Sequence, residues 1–159
     1  MSKPMPKPMS KRIVVSSLVG IAVIGGITAG GLAIASASAA TKPTLENSSA
    51  RYVAPSGSKA GSLTFTTEVS DDSGIKGLKV VPWPAGSALG LTEADLQYGE
   101  SAKCESTSDE TSRCTYTLKV TKKEAAELDQ GTWYISALAT AKDGDTTFDS
   151  MTARFNVTR

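Results

Sequence analysis

Leu63, Phe65, Thr67 and Val69 alternate with Thr64, Thr66 and Glu68. A period of two sends one set to an apolar face and the other to a polar face, so this stretch predicts a half-buried β-strand. The same period recurs in Ile75–Val81, where Leu78 and Val80 share a face. It recurs in Cys114–Val120, with Tyr116, Leu118 and Val120 inward. It returns in Trp133, Ile135, Ala137 and Ala139, and again in Met151, Ala153, Phe155 and Val157. Arg51–Ala54 predicts a short first strand and Leu96–Ser106 a further one. Pro55-Ser56-Gly57-Ser58, Asp71-Asp72-Ser73-Gly74, Thr107–Thr111 and Lys142-Asp143-Gly144-Asp145 separate the strands with turn residues. Pro82-Trp83-Pro84 is expected to end the third strand, because neither proline can donate to a ladder.

One helix stands out. Thr121-Lys122-Lys123-Glu124 matches the capping box, a hydroxyl at the N-cap with Glu three residues on, and Ala125, Ala126 and Leu128 continue it to a stop at Gly131. One more helical turn is expected after Thr92. The total is about seven short strands and one short helix, the spacing of an all-β sandwich. From Asp129 to Tyr134 and on through the Asp-Gly turn to the last strand, the order resembles the final third of an immunoglobulin-like or fibronectin-type domain.

The N-terminus follows a different pattern. Lys3, Lys7, Lys11 and Arg12 precede a run of 22 uncharged residues, Ile13–Ile34, and then Ala35-Ser36-Ala37-Ser38-Ala39-Ala40. A positive start, an apolar middle and a small-residue exit predict a secretory signal over residues 1–40, cut after Ala39 or Ala40. The alternative is an uncleaved anchor, since the run is long enough to span a bilayer. Its five glycines and the absence of a positive cluster after it favour cleavage. Residues 41–50 are small and polar and are expected to be a flexible leader, which leaves residues 51–159 as the sandwich.

Export changes the charge. The whole chain carries a net +1, but four cations and no anions lie in residues 1–40, so the remainder has 13 Lys+Arg against 16 Asp+Glu, about −3. A mildly acidic domain without a basic cluster is a poor nucleic-acid partner. Both cysteines, Cys104 and Cys114, lie in the exported part, and an even pair in an oxidising compartment predicts a disulfide. The chain has no histidine, which removes Ser-His-Asp and Cys-His catalysis and imidazole metal sites. No carboxylate pair is singled out by spacing, so no enzyme and no cofactor are expected.

The signal exit, the run Val69-Ser70-Asp71-Asp72-Ser73-Gly74-Ile75-Lys76, the Cys104/Cys114 pair and Gly131-Thr132-Trp133-Tyr134 together carry a resemblance. The chain is similar to small secreted proteins of Streptomyces and related actinomycetes, an uncharacterised family with an immunoglobulin-like β-sandwich. The resemblance implies no activity and no site residues. One departure from antibody domains is plain: these cysteines are ten apart in sequence and cannot be the bridge that joins strands B and F.

Candidate binding residues are few. Trp83, held between prolines, could present its indole to a sugar or protein, or could close one end of the core. Tyr98 and Tyr52 are further aromatic candidates, whereas Trp133 is expected in the core. Glu68, Asp71 and Asp72 could ligate calcium, but Asp, Ser and Gly also favour turns without any ion; Asp143 and Asp145 flank a hairpin glycine in the same way. No metal site is therefore expected. The favoured function is an extracellular, non-enzymatic interaction domain with a protein or cell-wall glycan partner. The alternatives are a carbohydrate-binding module, or an inhibitor of an extracellular hydrolase presenting Asp109–Thr111 on a disulfide-stapled hairpin.

Overall fold

The computed structural model describes residues 41–159; the expected signal sequence, residues 1–40, lies outside the described residues. The strands are β1 (Thr44–Val53), β2 (Gly61–Ser70), β3 (Ile75–Pro84), β4 (Glu100–Ser101), β5 (Lys103–Ser106), β6 (Thr111–Val120), β7 (Gly131–Ala141) and β8 (Thr146–Val157). Two short helices, α1 (Glu93–Leu96) and α2 (Lys122–Glu127), interrupt them. The strands form two four-stranded sheets of order β1-β2-β6-β5 and β4-β3-β7-β8, and the named strand pairs are antiparallel. Lettered A to G with a short C′ after C, the sheets read A-B-E-D and C′-C-F-G, the immunoglobulin-type sandwich order.

The period of two delivers the core. Leu63, Phe65 and Val69 from β2 meet Leu78 and Val80 from β3, Tyr116 from β6, and Ile135, Ala137 and Ala139 from β7. Phe65 and Ile135 have no exposed surface, and each such side chain contributes about 1.5–3 kcal/mol relative to leaving it in water. Thr67 is also buried, with its hydroxyl 2.7 Å from Ser48 Oγ and 3.0 Å from the Glu46 carbonyl.

Four expectations need correction. First, Thr44–Val53 is a full strand, so the flexible leader of residues 41–50 is mostly β1. Its polar residues are mostly exposed, and the ladder to β2, running from Thr44↔Ser70 to Val53↔Ser62, supplies the order that apolar content does not. A bulge at Glu46/Ser49 places Asn47 at φ 52.

Second, the prolines do not end β3. Pro82 and Pro84 sit opposite Ile135 and Trp133 in the ladder. Backbone groups alternate sides along a strand. The Ala85 N–H donates to the Thr132 carbonyl, towards β7, whereas the Leu78 carbonyl accepts from Ala102 on the other side. Residues 82 and 84 share the parity of 78, so their missing N–H groups fall on the edge facing away from β7.

Third, Leu96–Ser106 is not one strand. Leu96 ends α1, β4 pairs with β3, and β5 pairs with β6 in the other sheet, so the chain changes sheets around Ala102.

Fourth, Leu118 and Met151, expected to face inward, are 44% and 57% exposed. The second sheet shifts register between Ile135 and Ala137, which separates Met151 from the inward series of Ala153, Phe155 and Val157.

α2 is capped as expected: Thr121 Oγ1 accepts from the Glu124 N–H, and Glu124 returns a carboxylate oxygen to the Thr121 N–H at 2.7 Å. The helix stops at Leu128, and Gly131, at φ 111, opens β7. β7 is buried on both faces from Ile135 to Ala139. Its outer face carries Ser136 and Leu138, and α1, with the fully buried Leu96, lies against β3 and β7. Thr146 on β8 ties α1 in place by donating to Glu93.

Candidate functional site

Three turns meet at one end of the sandwich: Asp71–Gly74, Thr107–Glu110 and Lys142–Asp145. The meeting follows from strand order. β3 runs antiparallel to β7 with Ile75 near Ala141, and β2 runs antiparallel to β6 with Ser70 opposite Thr111. Asp71 Oδ1 accepts from the Ser73 N–H at 2.9 Å and from its hydroxyl at 2.6 Å, which closes the first turn. The Asp71 N–H donates to the Glu110 carbonyl and the Lys142 N–H to the Gly74 carbonyl, both at 2.9 Å. The Asp143 N–H donates to Ser73 Oγ at 3.3 Å. Gly74 has φ 82, and a Cβ there would lie 2.7 Å from the Asp109 carbonyl oxygen, so only glycine fits.

This end is acidic. Asp72, Asp109, Glu110 and Asp143 are exposed and Asp145 is half-buried, with Lys142 among them. One carboxylate oxygen each from Asp71, Asp72 and Asp143 lies within 4.8 Å of the others. Asp71 is only 5% exposed, and its Oδ2 is buried with no hydrogen-bond partner. Glu68, grouped with Asp71 and Asp72 from the sequence, is engaged elsewhere. It accepts from Arg113 at 2.8 Å and Asn47 at 2.7 Å, first the Arg113 bond and then the Asn47 bond holding its carboxyl below the ordinary value of 4.5. The turns were legible one at a time; that Asp143 joins Asp71 and Asp72 was not, because it depends on the pairing of β3 with β7.

The aromatic candidates part company. Trp83 is half-buried on the outer face of the second sheet, not at an end of the core. Its ring centroid is 5.1 Å from that of Tyr134, and its indole N–H donates to Ser136 Oγ at 2.9 Å. Tyr98 follows α1 and is 92% exposed. Trp133 is half-buried against the core, 6.1 Å from Phe155 by ring centroid, and its N–H donates to the Asp129 carbonyl. At the end opposite the acidic turns, Tyr52, Leu63, Tyr116, Leu128, Trp133 and Phe155 line an apolar cavity of about 230 Å3. The Tyr52 hydroxyl is buried without a partner.

Cys104 and Cys114 form the expected disulfide. They are direct cross-strand partners on β5 and β6, so the bridge staples the hairpin whose tip is Thr107–Glu110. It joins strands D and E of the sandwich rather than B and F.

Fold and site together define a small disulfide-bridged antiparallel β-sandwich with three hydrogen-bonded turns at an acidic end. The chain belongs to a family of unknown function (DUF5707), whose model matches residues 45–139. No curated protein and no solved structure matches it.

Proposed function

We propose that the protein is a secreted, non-enzymatic recognition module whose binding surface is the acidic loop end, and that its partner is an extracellular or cell-envelope protein presenting a basic segment. The observation that carries the reading is the hydrogen bonding that ties three separate turns into one surface. Loops fixed on a rigid scaffold bind without a large ordering cost. Secretion is supported by the signal pattern in residues 1–40 and by the disulfide.

The sheet edges suit binding less well. β4 and β5 are two and four residues long, Pro82 and Pro84 blunt the edge of β3, and β1 lies alongside β8. That favours loops over strand addition.

A photo-crosslinker at Asp72 or Asp109, compared with one at Lys123 on α2, tests the reading on intact cells and culture fluid. Discrete adducts from the loop-end positions alone are expected, and Asp109→Lys with Glu110→Lys should abolish those from the probe at Asp72. Equal labelling from both ends, or none, would remove it. An inhibitor of an extracellular hydrolase is one form of this reading, with the stapled 107–110 tip as the inserted loop; inhibition of secreted hydrolases by the purified protein decides it.

Carbohydrate binding keeps one observation in its favour, the exposure of Tyr98, since Trp83 has committed its N–H to Ser136. Glycan-array signals unchanged by Tyr98→Ala would eliminate it.

A further inference from the structure

We propose that Asp71, Asp72 and Asp143 form a calcium site that locks the β2–β3 turn to the β7–β8 turn. The proposal stands independently of any protein partner.

The starting point is Asp71. A turn needs one acceptor oxygen, and Oδ1 fills that role through the two Ser73 donors. An asparagine would close the turn as well without burying a charge. Oδ2 is what the turn leaves unexplained: it is buried and without a partner, on a residue only 5% exposed. A buried carboxylate oxygen is costly unless it is hydrogen-bonded, paired with a cation or bound to a metal.

The neighbours supply more negative charge rather than relief. One carboxylate oxygen each from Asp71, Asp72 and Asp143 lies within 4.8 Å of the others. Among the described residues the ion pairs are Lys103–Glu105 and Arg113–Glu68, so none of the three is ion-paired. Lys142 is the nearby cation. Its Nζ lies 2.9 Å from where a Cβ on Gly74 would stand, yet it pairs with none of the three. Asp109 and Glu110, on the adjoining tip, deepen the negative potential.

The donor set selects the ion. It is all oxygen and all anionic, which suits a hard cation. Oxygens bound to one calcium at about 2.3–2.6 Å can stand at most about 5 Å apart, and a span of 4.8 Å fits inside that limit. Magnesium demands near-ideal octahedral geometry, which ligands from two different turns are poorly placed to meet; calcium tolerates irregular shells completed by water. With three carboxylates and a competing lysine, affinity should fall in the range of extracellular calcium modules, a dissociation constant of about 0.1–1 mM.

The test is calorimetric titration of the chelator-treated protein with calcium chloride at constant ionic strength, with thermal unfolding read in parallel. Saturable binding of one ion in that range and a rise in unfolding temperature are expected. Asp72 and Asp143 are exposed, so Asp72→Asn and Asp143→Asn should unfold like the parent in chelator while each weakens calcium by about tenfold or more. Absence of saturable binding up to about 10 mM calcium, unchanged affinity in both variants, or magnesium binding as tightly as calcium would each overturn the proposal. Calcium binding that survives while loop-end crosslinks vanish, or the reverse, tells failure of this site from failure of the recognition surface.

Discussion

The indole N–H of Trp83 donates to Ser136 Oγ at 2.9 Å, and that hydroxyl donates onward to the Ser150 carbonyl at 2.7 Å. Three strands, β3, β7 and β8, are thus stitched on the outer face of one sheet by a serine with no exposed surface. Ser136→Ala leaves both partners unsatisfied and should cost about 1–3 kcal/mol in urea unfolding. Trp83→Phe keeps an aromatic ring against Tyr134 while removing the donor, so its cost should be smaller.

Replacing both Cys104 and Cys114 by Ala should lower stability by about 3 kcal/mol or less, since the closed loop is short. The fold should survive, because Cys114 is only one of the buried residues of the core and Phe65, Val80, Ile135 and Phe155 remain to join the two sheets. Reductant should shift the unfolding of the parent by a similar amount and leave the double variant unmoved.

Acid should weaken the fold through four carboxylates. Glu68 is held below 4.5 by the Arg113 bond and then the Asn47 bond, Glu105 below 4.5 by Lys103, Glu124 below 4.5 by Thr121, and Asp95 below 3.8 by Thr92. A folded-state pKa below the unfolded one means stability that is present above the unfolded value and lost as pH falls through the folded value. Stability should therefore decline below about pH 4.5, whereas near neutrality the contribution of these groups is fully present and does not change with pH. Arg113→Gln should flatten the decline, as measured by unfolding at a series of pH values.

Gly74→Ala should be destabilising by more than about 1 kcal/mol, since it combines a left-handed φ of 82 with a 2.7 Å approach to the Asp109 carbonyl. Gly144→Ala shares the positive φ, 101, but meets nothing within 4 Å, so it should cost less. The difference in unfolding midpoint between the two variants isolates the contact between turns.

Leu96→Ala should cost about 2–5 kcal/mol, the range for truncating a fully buried leucine. A cost near zero would mean that α1 merely rests on β3 and β7.

Much of this was readable along the chain. Leu63, Phe65 and Val69 announce β2 because one face of a strand must be apolar, and Thr121 and Glu124 announce α2 because a helix start leaves N–H groups to satisfy. The Cys104/Cys114 bridge followed from an even pair of cysteines beyond a segment that reads as a secretory signal. Such signals act between residues close in sequence, or through composition.

The rest depended on which strands lie side by side. Thr44–Ala50 has no apolar period, and only the ladder to β2 makes it a strand. Pro82 and Pro84 read as a stop until β7 takes one edge of β3 and leaves the prolines on the other. Ser136 and Leu138 read as a solvent face until Trp83 and α1 cover it. Asp71 and Asp143 are unremarkable turn residues until β3 and β7 pair and bring them together. Turn, cap and period come from short-range sterics and hydrogen bonding; strand order comes from burying whole faces at once, and that settles which turns share an end and which charges must share a site.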